Sequence, residues 1–582
     1  MSDISSLYKR ELTLLHKELK EFVDNHEALT EDDIIENPHI NRLTQAFSLL
    51  HANLHLTLEE SFTHFIDNLF NLLYPHYNAP IPSMAIMVLE PDKNNQETIE
   101  LRKGLLLELS NGDKICNFNL CYDTQIMPAK IIKSSCKISD EKKTKSIITI
   151  KLQAISKMNF NELGIKKIRF YIKGINEVKY TIYQNIFNNV LSVSLDSNNK
   201  TIILDNNKIK KVGFNEEDSV LPKNKHSFIG YRVLTEFFAL TDKFLFFDLD
   251  LSSVDLNGFD SNLEIKFYLD NKGLVDLITE DNFVLNASPA INLCEQESDP
   301  INIDAESYEH PIMFNKSDEL EICSINQVIV NIGDNNEVEA HPLLNFDHET
   351  SSEDSLYYIT KKKSILHKGI FKKSNTYVSL GNIDFLDGKS DKYFYVNSNC
   401  FNGDLPRQIY AEDNTKITLI DNTIPIDSIR CIAKPTAVTK LCKSDDQKWN
   451  MIAHFSPHYL NLLDSINGKN IFKEILKMYC CEDTKIHQNI IDSIIDITVS
   501  EKIIRVQTKK YNQFCKGNHI EIIFSKFNFS EGVLYLFLNT IEYFLSIYCS
   551  INSFIQLSGK MISKDGKKIY EGLPRNGEKC MI

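Results

Sequence analysis

Two histidines in the N-terminal part of the chain have the spacing of metal ligands. His51 and His55 are four positions apart, so a helix places both imidazoles on one face. The pair lacks the glutamate of the H-E-x-x-H motif, and no third ligand is suggested nearby in the sequence. A metal-dependent hydrolase using His51 and His55 is the alternative interpretation, beside two solvated or capping histidines. We expect no metal site and no cofactor.

Other candidate motifs for chemistry fail on spacing or charge. The glycines of the segment from Gly381 to Ser390 are too far apart for a phosphate loop. Asp387 also stands where backbone amides would meet phosphate, so we interpret the segment as a hairpin turn. Pro457 breaks the helical register between His454 and His458. Since no catalytic constellation emerges, the sequence predicts a protein that is not an enzyme.

A turn around Pro406 is more distinctive. The proline biases Leu405 toward an extended backbone, and Arg407 then presents a planar fork of hydrogen-bond donors. One interpretation is a buried or interfacial Arg407 that pins a loop to a carboxylate or to carbonyls. The other is an ordinary exposed turn.

Composition limits the class of protein. The 582 residues carry 64 basic and 79 acidic side chains, a formal charge of -15, which disfavours a broad nucleic-acid surface. The most apolar stretch, from Gly532 to Leu557, is interrupted by Asn539, Glu542 and Asn552, so we expect no direct membrane insertion. Thirteen cysteines without a C-x-x-C motif are typical of reduced thiols in a cytosol.

The first 80 residues have helical periodicity. Three consecutive apolar patterns appear, from Tyr8 to Phe22, from Leu43 to Leu54, and from Leu58 to Leu73. Such stripes are usually an intramolecular core, but these helices could also bundle with the helices of a partner. As an interface hypothesis we select the stripe residues Leu12, Leu15, Leu19, Phe47, Leu50, Phe62 and Phe65, together with Arg407.

After residue 83 the apolar period changes to two, which is typical of strands. The pattern Phe244–Phe247 is apolar on both faces and predicts a strand at a domain centre. The overall prediction is an α+β multidomain chain. Its parts are an N-terminal helical segment (1–80), a β-rich central domain with a short helix (81–300), a second β-rich domain (301–430) and a mixed α+β C-terminal domain (431–582).

Several stretches resemble one family, TssF of the type VI secretion baseplate. They occur in order along nearly the whole chain and include YKREL at 8–12, NPHINRL at 37–43, HSFIGYR at 226–232, NLCEQ at 292–296 and the turn at 404–408. The family's terminal Trp-Pro-Pro-Arg segment is replaced here by Gly572, Leu573, Pro574 and Arg575.

The resemblance implies a cytoplasmic, non-enzymatic scaffold of the baseplate, docked to the inner-membrane complex. It implies a wedge in which two TssF chains embrace one TssG, with self-association within the wedge. The wedge would link TssK, the VgrG hub, TssE and the contractile sheath. The interface hypothesis for the N-terminal helices then becomes a contact with TssG.

Overall fold

The structure is a computed structural model of the chain. It describes residues 4–24, 38–73, 77, 79–139, 144–155, 158–197, 200–222, 229–303, 307–314, 320–332, 337–343, 355–367, 370–382, 392–412, 415–421, 423–440, 447–449, 468–480, 485–507, 512–525, 530–546, 549, 553–562, 568–576 and 579–580.

The helices of these described ranges lie mainly near the two ends of the chain. They are α1 (Ile4–Asp24), α2 (Pro38–Leu73), α3 (Asn176–Asn188), α4 (Ile229–Ala239), α5 (Leu405–Ala411), α6 (Gly468–Tyr479), α7 (Lys485–Asp492) and α8 (Glu531–Ser546). Short 3-10 helices cover Asn206–Lys208, Thr241–Phe244 and Glu280–Asn282. In the described part of the chain, none of the helices is both long and apolar enough to cross a bilayer.

The second and third predicted N-terminal patterns form one helix. The sequence predicts separate helices ending near Leu54 and starting near Leu58, but α2 runs through both without interruption. The correction has a local cause, because no glycine or proline stands between Leu54 and Leu58 to stop the helix. The helix starts at Pro38, and proline is tolerated at a first helical position.

Three antiparallel sheets occupy the middle of the chain. Sheet A has six strands in the order Lys416–Leu419, Leu106–Asn111, Lys114–Leu120, Ala287–Ile291, Met84–Pro91 and Ile426–Cys431. Sheet B has five, in the order Lys200–Asp205, Val190–Ser197, Asn262–Leu269, Ser146–Ala154 and Ala129–Ile138. Sheet C has four, in the order Ile209–Lys211, Phe246–Asp250, Lys167–Ile172 and Phe283–Val284.

Two mixed sheets and a small antiparallel ladder complete the strands. Sheet D orders Cys294–Glu297, Tyr393–Phe401, Glu321–Asn331, Glu337–Pro342, Tyr357–His367, Ile370–Gly381 and His310–Pro311, with Ile301–Asn302 beside Tyr393–Phe401. Sheet E orders Ile494–Gln507, Asn512–Phe524, Ile555–Met561, Arg575–Asn576 and Lys579–Cys580, with Lys568–Glu571 beside Ile555–Met561. Ile99–Leu101 pairs with Thr124–Ile126. The observed mixture of helices and sheets confirms the α+β prediction.

Sheet C lies at the centre of the main hydrophobic core. Its strand Phe246–Asp250 follows the 3-10 turn Thr241–Phe244, and the side chains of Phe244, Leu245, Phe246 and Phe247 are fully buried. The prediction that this segment is covered on both faces is therefore confirmed, although the strand starts two residues later than expected. Helix α8 packs on α3 and α4, which joins the C-terminal part of the chain to this core.

The division into four sequence segments stays a prediction. Strand pairing does not follow the predicted boundaries, because sheet A combines strands from residues 84–120 and 287–291 with strands from residues 416–431. Most of the predicted turn at 381–390 lies outside the described residues. So do His454 and His458.

The segment where the chain departs from the family pattern is tied to helix α8. Gly572 leaves no room for a side chain, because an added Cβ would lie 2.0 Å from Oε2 of Glu542. The same carboxylate accepts a hydrogen bond of 2.5 Å from Nε of Arg575, whose guanidinium lies 3.6 Å from the centre of the Tyr543 ring. Glycine is thus required at 572 as long as Glu542 occupies this position.

Candidate functional site

Helices α1 and α2 form an antiparallel hairpin. Nε2 of His16 lies 3.2 Å from Oδ1 of Asn41, while Oε2 of Glu11 lies 2.8 Å from Nδ1 of His51, so the chain directions oppose each other. The side of α2 that faces α1 carries small side chains, because its buried residues include Thr44, Ser48 and Ala52. Small side chains allow the helices to approach closely but contribute little apolar area.

A second side of α2 carries a row of large apolar side chains exposed to solvent. We call this row the α2 stripe, and its members are all between 56 % and 63 % exposed: Leu43, Phe47, Leu50, Leu54, Leu58 and Phe65. At 3.6 residues per turn they share one face, which lies roughly 120° around the helix axis from the face that packs on α1. The stripe is therefore not part of the hairpin contact.

The structure separates the predicted interface residues into two groups. Phe47, Leu50 and Phe65 lie on the α2 stripe, whereas Leu12, Leu15 and Leu19 are half-buried on α1. The backbone of Phe62 is helical, but its side chain lies outside the described residues. The stripe members Leu43, Leu54 and Leu58 were visible in the sequence as apolar positions, although they were not selected.

Arg407 lies far along the chain from this surface, and its local structure differs from the expectation. Leu405 is the first residue of helix α5 rather than an extended residue, and Pro406 lies in the first turn of that helix. Proline is tolerated there because the first turn's N–H groups have no helical acceptor. Among the described residues, the buried Nε of Arg407 has no hydrogen-bond partner. Its role at an interface stays a prediction.

The two histidines of the sequence analysis meet a third polar residue across the hairpin. Glu11 is 4 % exposed, and its carboxylate lies 2.8 Å from Nδ1 of His51 and 4.0 Å from Nε2 of His55. The hydrogen bond from His51 and then those from Arg10 lower the pKa of Glu11. Sequence reasoning missed Glu11 because it is 40 positions from His51. One feature of the sequence could have identified it: Glu11 is a charged residue that lies four positions from both Leu7 and Leu15, within the apolar row of α1.

The ion pair of Glu236 and Lys243 is fully buried. Oε1 of Glu236 accepts hydrogen bonds from the backbone N–H groups of Val220 and Leu221 at 2.8 and 2.9 Å, and Oε2 accepts one from Nζ of Lys243. Both side chains are fully buried, and burial lowers the pKa of Lys243. A carboxylate whose oxygens are both engaged in this way holds the loop at Val220 and Leu221 in place.

Comparison with known proteins agrees with the resemblance found in the sequence. The model of the family described as "Type VI secretion system, TssF" matches residues 1–579. The type VI secretion system component TssF1 of Pseudomonas aeruginosa strain PAO1 is 24 % identical over 554 residues, which cover 89 % of each protein.

Two solved structures share the fold. One is a TssK-TssF-TssG baseplate subcomplex. Its matching chain is 23 % identical, with a TM-score of 0.75, and the match covers 91 % of this chain and 97 % of that one. The other is a baseplate complex from the type VI secretion system, with a TM-score of 0.60, 19 % identity and coverage of 98 % of this chain and 99 % of that one. These matches do not favour the metal-dependent hydrolase. The chain belongs to the TssF family of the type VI secretion system.

Proposed function

We propose that this chain is a non-catalytic subunit of a type VI secretion baseplate and that the α2 stripe is its docking surface for TssG. The observation that carries the proposal is the set of six large apolar side chains on one face of one helix, each more than half exposed. Covering each of them would contribute about 1–2 kcal/mol. A face of this kind favours association with a partner of matching apolar character.

The type of partner follows from the shape of the surface. The α2 helix spans Pro38–Leu73, 36 residues or roughly 54 Å. Its stripe residues recur at spacings of three, four and seven, which is the pattern by which one helix packs along another. A helical partner running beside α2 is therefore the best fit. The solved relative contains TssF together with TssG and TssK.

The wider assembly is an extension of the same proposal. We propose two copies of this chain per TssG, self-association within the wedge, and links to TssK, the VgrG hub, TssE and the sheath. The site of action would be the cytoplasm, at a baseplate docked to the inner-membrane complex. Family membership supports this assignment, and the absence of sequence motifs for catalysis agrees with it.

A single charge placed on the stripe tests the docking surface. Phe47→Asp should abolish copurification with coexpressed TssG, because a carboxylate buried without a partner costs several kcal/mol. Leu49→Asp is the matched control, since Leu49 is an exposed leucine on the same helix but lies on another side. Leu49→Asp should copurify with TssG as the unchanged chain does.

The same experiment can contradict the proposal. If both variants have the circular dichroism of the unchanged chain and Phe47→Asp still binds TssG at full stoichiometry, the stripe is not the docking surface. Equal loss of binding in both variants would contradict it as well. Mass measurement of the complex then tests the ratio of two to one.

A further inference from the structure

The hairpin brings three potential metal ligands to one place. The carboxylate of Glu11 on α1 and the imidazoles of His51 and His55 on α2 each offer one ligand atom, and these atoms all lie within 4.8 Å of one another. The imidazole rings meet edge to face with their centres 5.1 Å apart. Two of the three ligands come from one helix and the third from its neighbour, so a bound ion would bridge the helices.

The sequence alone led us to expect no metal site, because it suggested no third ligand, and Glu11 changes that expectation. We propose that Glu11, His51 and His55 bind a transition-metal ion of the Zn²⁺ type, which clamps α1 to α2. Two nitrogen donors and one carboxylate oxygen suit Zn²⁺, Co²⁺ or Ni²⁺, whereas Ca²⁺ and Mg²⁺ prefer oxygen donors throughout. The site is structural in this proposal, and it does not depend on the identity of the partner at the α2 stripe.

The distances are compatible with coordination after small side-chain movements. Metal–ligand bonds of about 2.0–2.1 Å in a tetrahedral site place neighbouring donor atoms roughly 3.4 Å apart. Oε2 of Glu11 now lies 2.8 Å from Nδ1 of His51, Oε1 lies 4.0 Å from Nε2 of His55, and one ligand atom of each residue lies within 4.8 Å of the other two. Rotation of the two partly exposed histidine side chains is sufficient to bring the three donor atoms to this spacing.

One of the three proposed ligands is buried and the other two are exposed to solvent. The side chain of Glu11 is 6 % exposed, whereas those of His51 and His55 are 59 % and 42 % exposed. An ion can therefore enter from solvent on the histidine side, and a water molecule can fill the fourth position. The buried carboxylate would anchor the ion to α1.

Arg10 is the main obstacle to a cation at this site. Its Nη2 and Nε lie 3.0 and 3.2 Å from Oε1 of Glu11, so the carboxylate is already neutralised. The Arg10 side chain is 54 % exposed and can turn outward, or it can remain on Oε1 while the ion takes Oε2. A hydrogen-bonded carboxylate is the usual arrangement around a bound metal.

Few large apolar side chains are buried between the two helices of the hairpin. Among the described residues of α1 and α2, the buried apolar side chains are Leu7, Ala52 and Ile66, and the others buried there are polar. The leucines Leu12, Leu15 and Leu19 of α1 are only half-buried, so the apolar area buried in the described part of the hairpin is small. A metal bridge would supply stability on the α1 side of α2 and leave the stripe open.

Cobalt titration of the full chain tests the site. After treatment with a chelator, the protein should bind one Co²⁺ with a visible ligand-field band and no intense thiolate charge-transfer band, and Zn²⁺ should displace it. His51→Gln and His55→Gln should each weaken binding by about tenfold or more. His16→Gln is the matched control, because His16 lies in the same hairpin but contacts Leu12 and Asn41 instead.

A second readout reports the clamp itself. In the unchanged chain Zn²⁺ should slow amide hydrogen exchange in residues 4–24, and in His55→Gln it should not. The proposal is overturned if no ion binds, if the two ligand variants bind as the unchanged chain does, or if His16→Gln loses binding equally. Spectra dominated by thiolate ligation would also overturn it, because they would place the ion on cysteines rather than on Glu11, His51 and His55.

Discussion

The hydroxyl groups of Tyr77 and Tyr479 share a hydrogen bond of 2.8 Å, although 402 positions of sequence separate them. Both side chains are 1 % exposed. The Tyr77 ring also meets the ring of Tyr231 edge to face, and the Tyr479 ring meets that of Phe544. Tyr77, four positions beyond the last residue of helix α2, is therefore anchored in the core that contains α4, α6 and α8. The contact joins the chain beyond α2 to helix α6, near the other end of the sequence.

Removing either hydroxyl should destabilise this anchor. Tyr77→Phe and Tyr479→Phe should each lower the free energy of unfolding by about 1–2 kcal/mol, because the remaining hydroxyl stays buried with one partner fewer. The double variant should lose less than the sum of the two. Denaturant unfolding measures all three. Tyr308→Phe is the control, since Tyr308 is 89 % exposed and should change nothing. Strictly additive losses would show that the two hydroxyls are not coupled.

Gly532 in helix α8 provides a test in which helix propensity and packing predict opposite signs. Alanine is the better helix former by about 1 kcal/mol. However, a Cβ at this position would lie 2.2 Å from the backbone oxygen of Tyr180 in helix α3. We therefore expect Gly532→Ala to lower the free energy of unfolding by about 1–3 kcal/mol.

The control for this variant is Gly273→Ala. A Cβ there meets nothing within 4 Å, and the residue has no positive φ. Its unfolding free energy should stay within about 0.5 kcal/mol of the unchanged chain. If Gly532→Ala were more stable than the unchanged chain, the close crossing of α8 and α3 would be wrong.

His487 makes stability depend on pH. Burial lowers its pKa to about 4, and its Nε2 lies 3.1 Å from the hydroxyl of Thr241 beside the rings of Phe237 and Phe238. The folded state therefore favours the neutral imidazole. The stability from this group is present above pH about 6.5 and is lost as the pH falls toward 4. The loss amounts to about 3 kcal/mol.

The variant His487→Gln isolates this contribution. Glutamine can still donate a hydrogen bond to Thr241 but does not titrate. The difference in unfolding free energy between the two proteins should therefore change by about 3 kcal/mol in favour of the variant between pH 7 and pH 4. A difference that is constant over this range would mean that His487 is not buried as a neutral group.

Periodicity in the sequence determined the positions of most elements, because it is a local property. The three apolar patterns of the first 80 residues predicted helices, and the alternation after residue 83 predicted strands. The central Phe244–Phe247 segment was recognisable as buried because both of its faces are apolar. The motifs in order along the chain were sufficient to indicate the family.

Tertiary structure decided which faces of those elements remain free. The sequence could not show that Thr44, Ser48 and Ala52, rather than Phe47 and Leu54, pack on α1. Nor could it place Glu11 beside His51 or Tyr77 beside Tyr479, 40 and 402 positions away. Periodicity reports how the side chains of one element are oriented, whereas a contact between elements depends on how distant segments of chain pack. Which faces remain exposed therefore depends on the packing of the whole core.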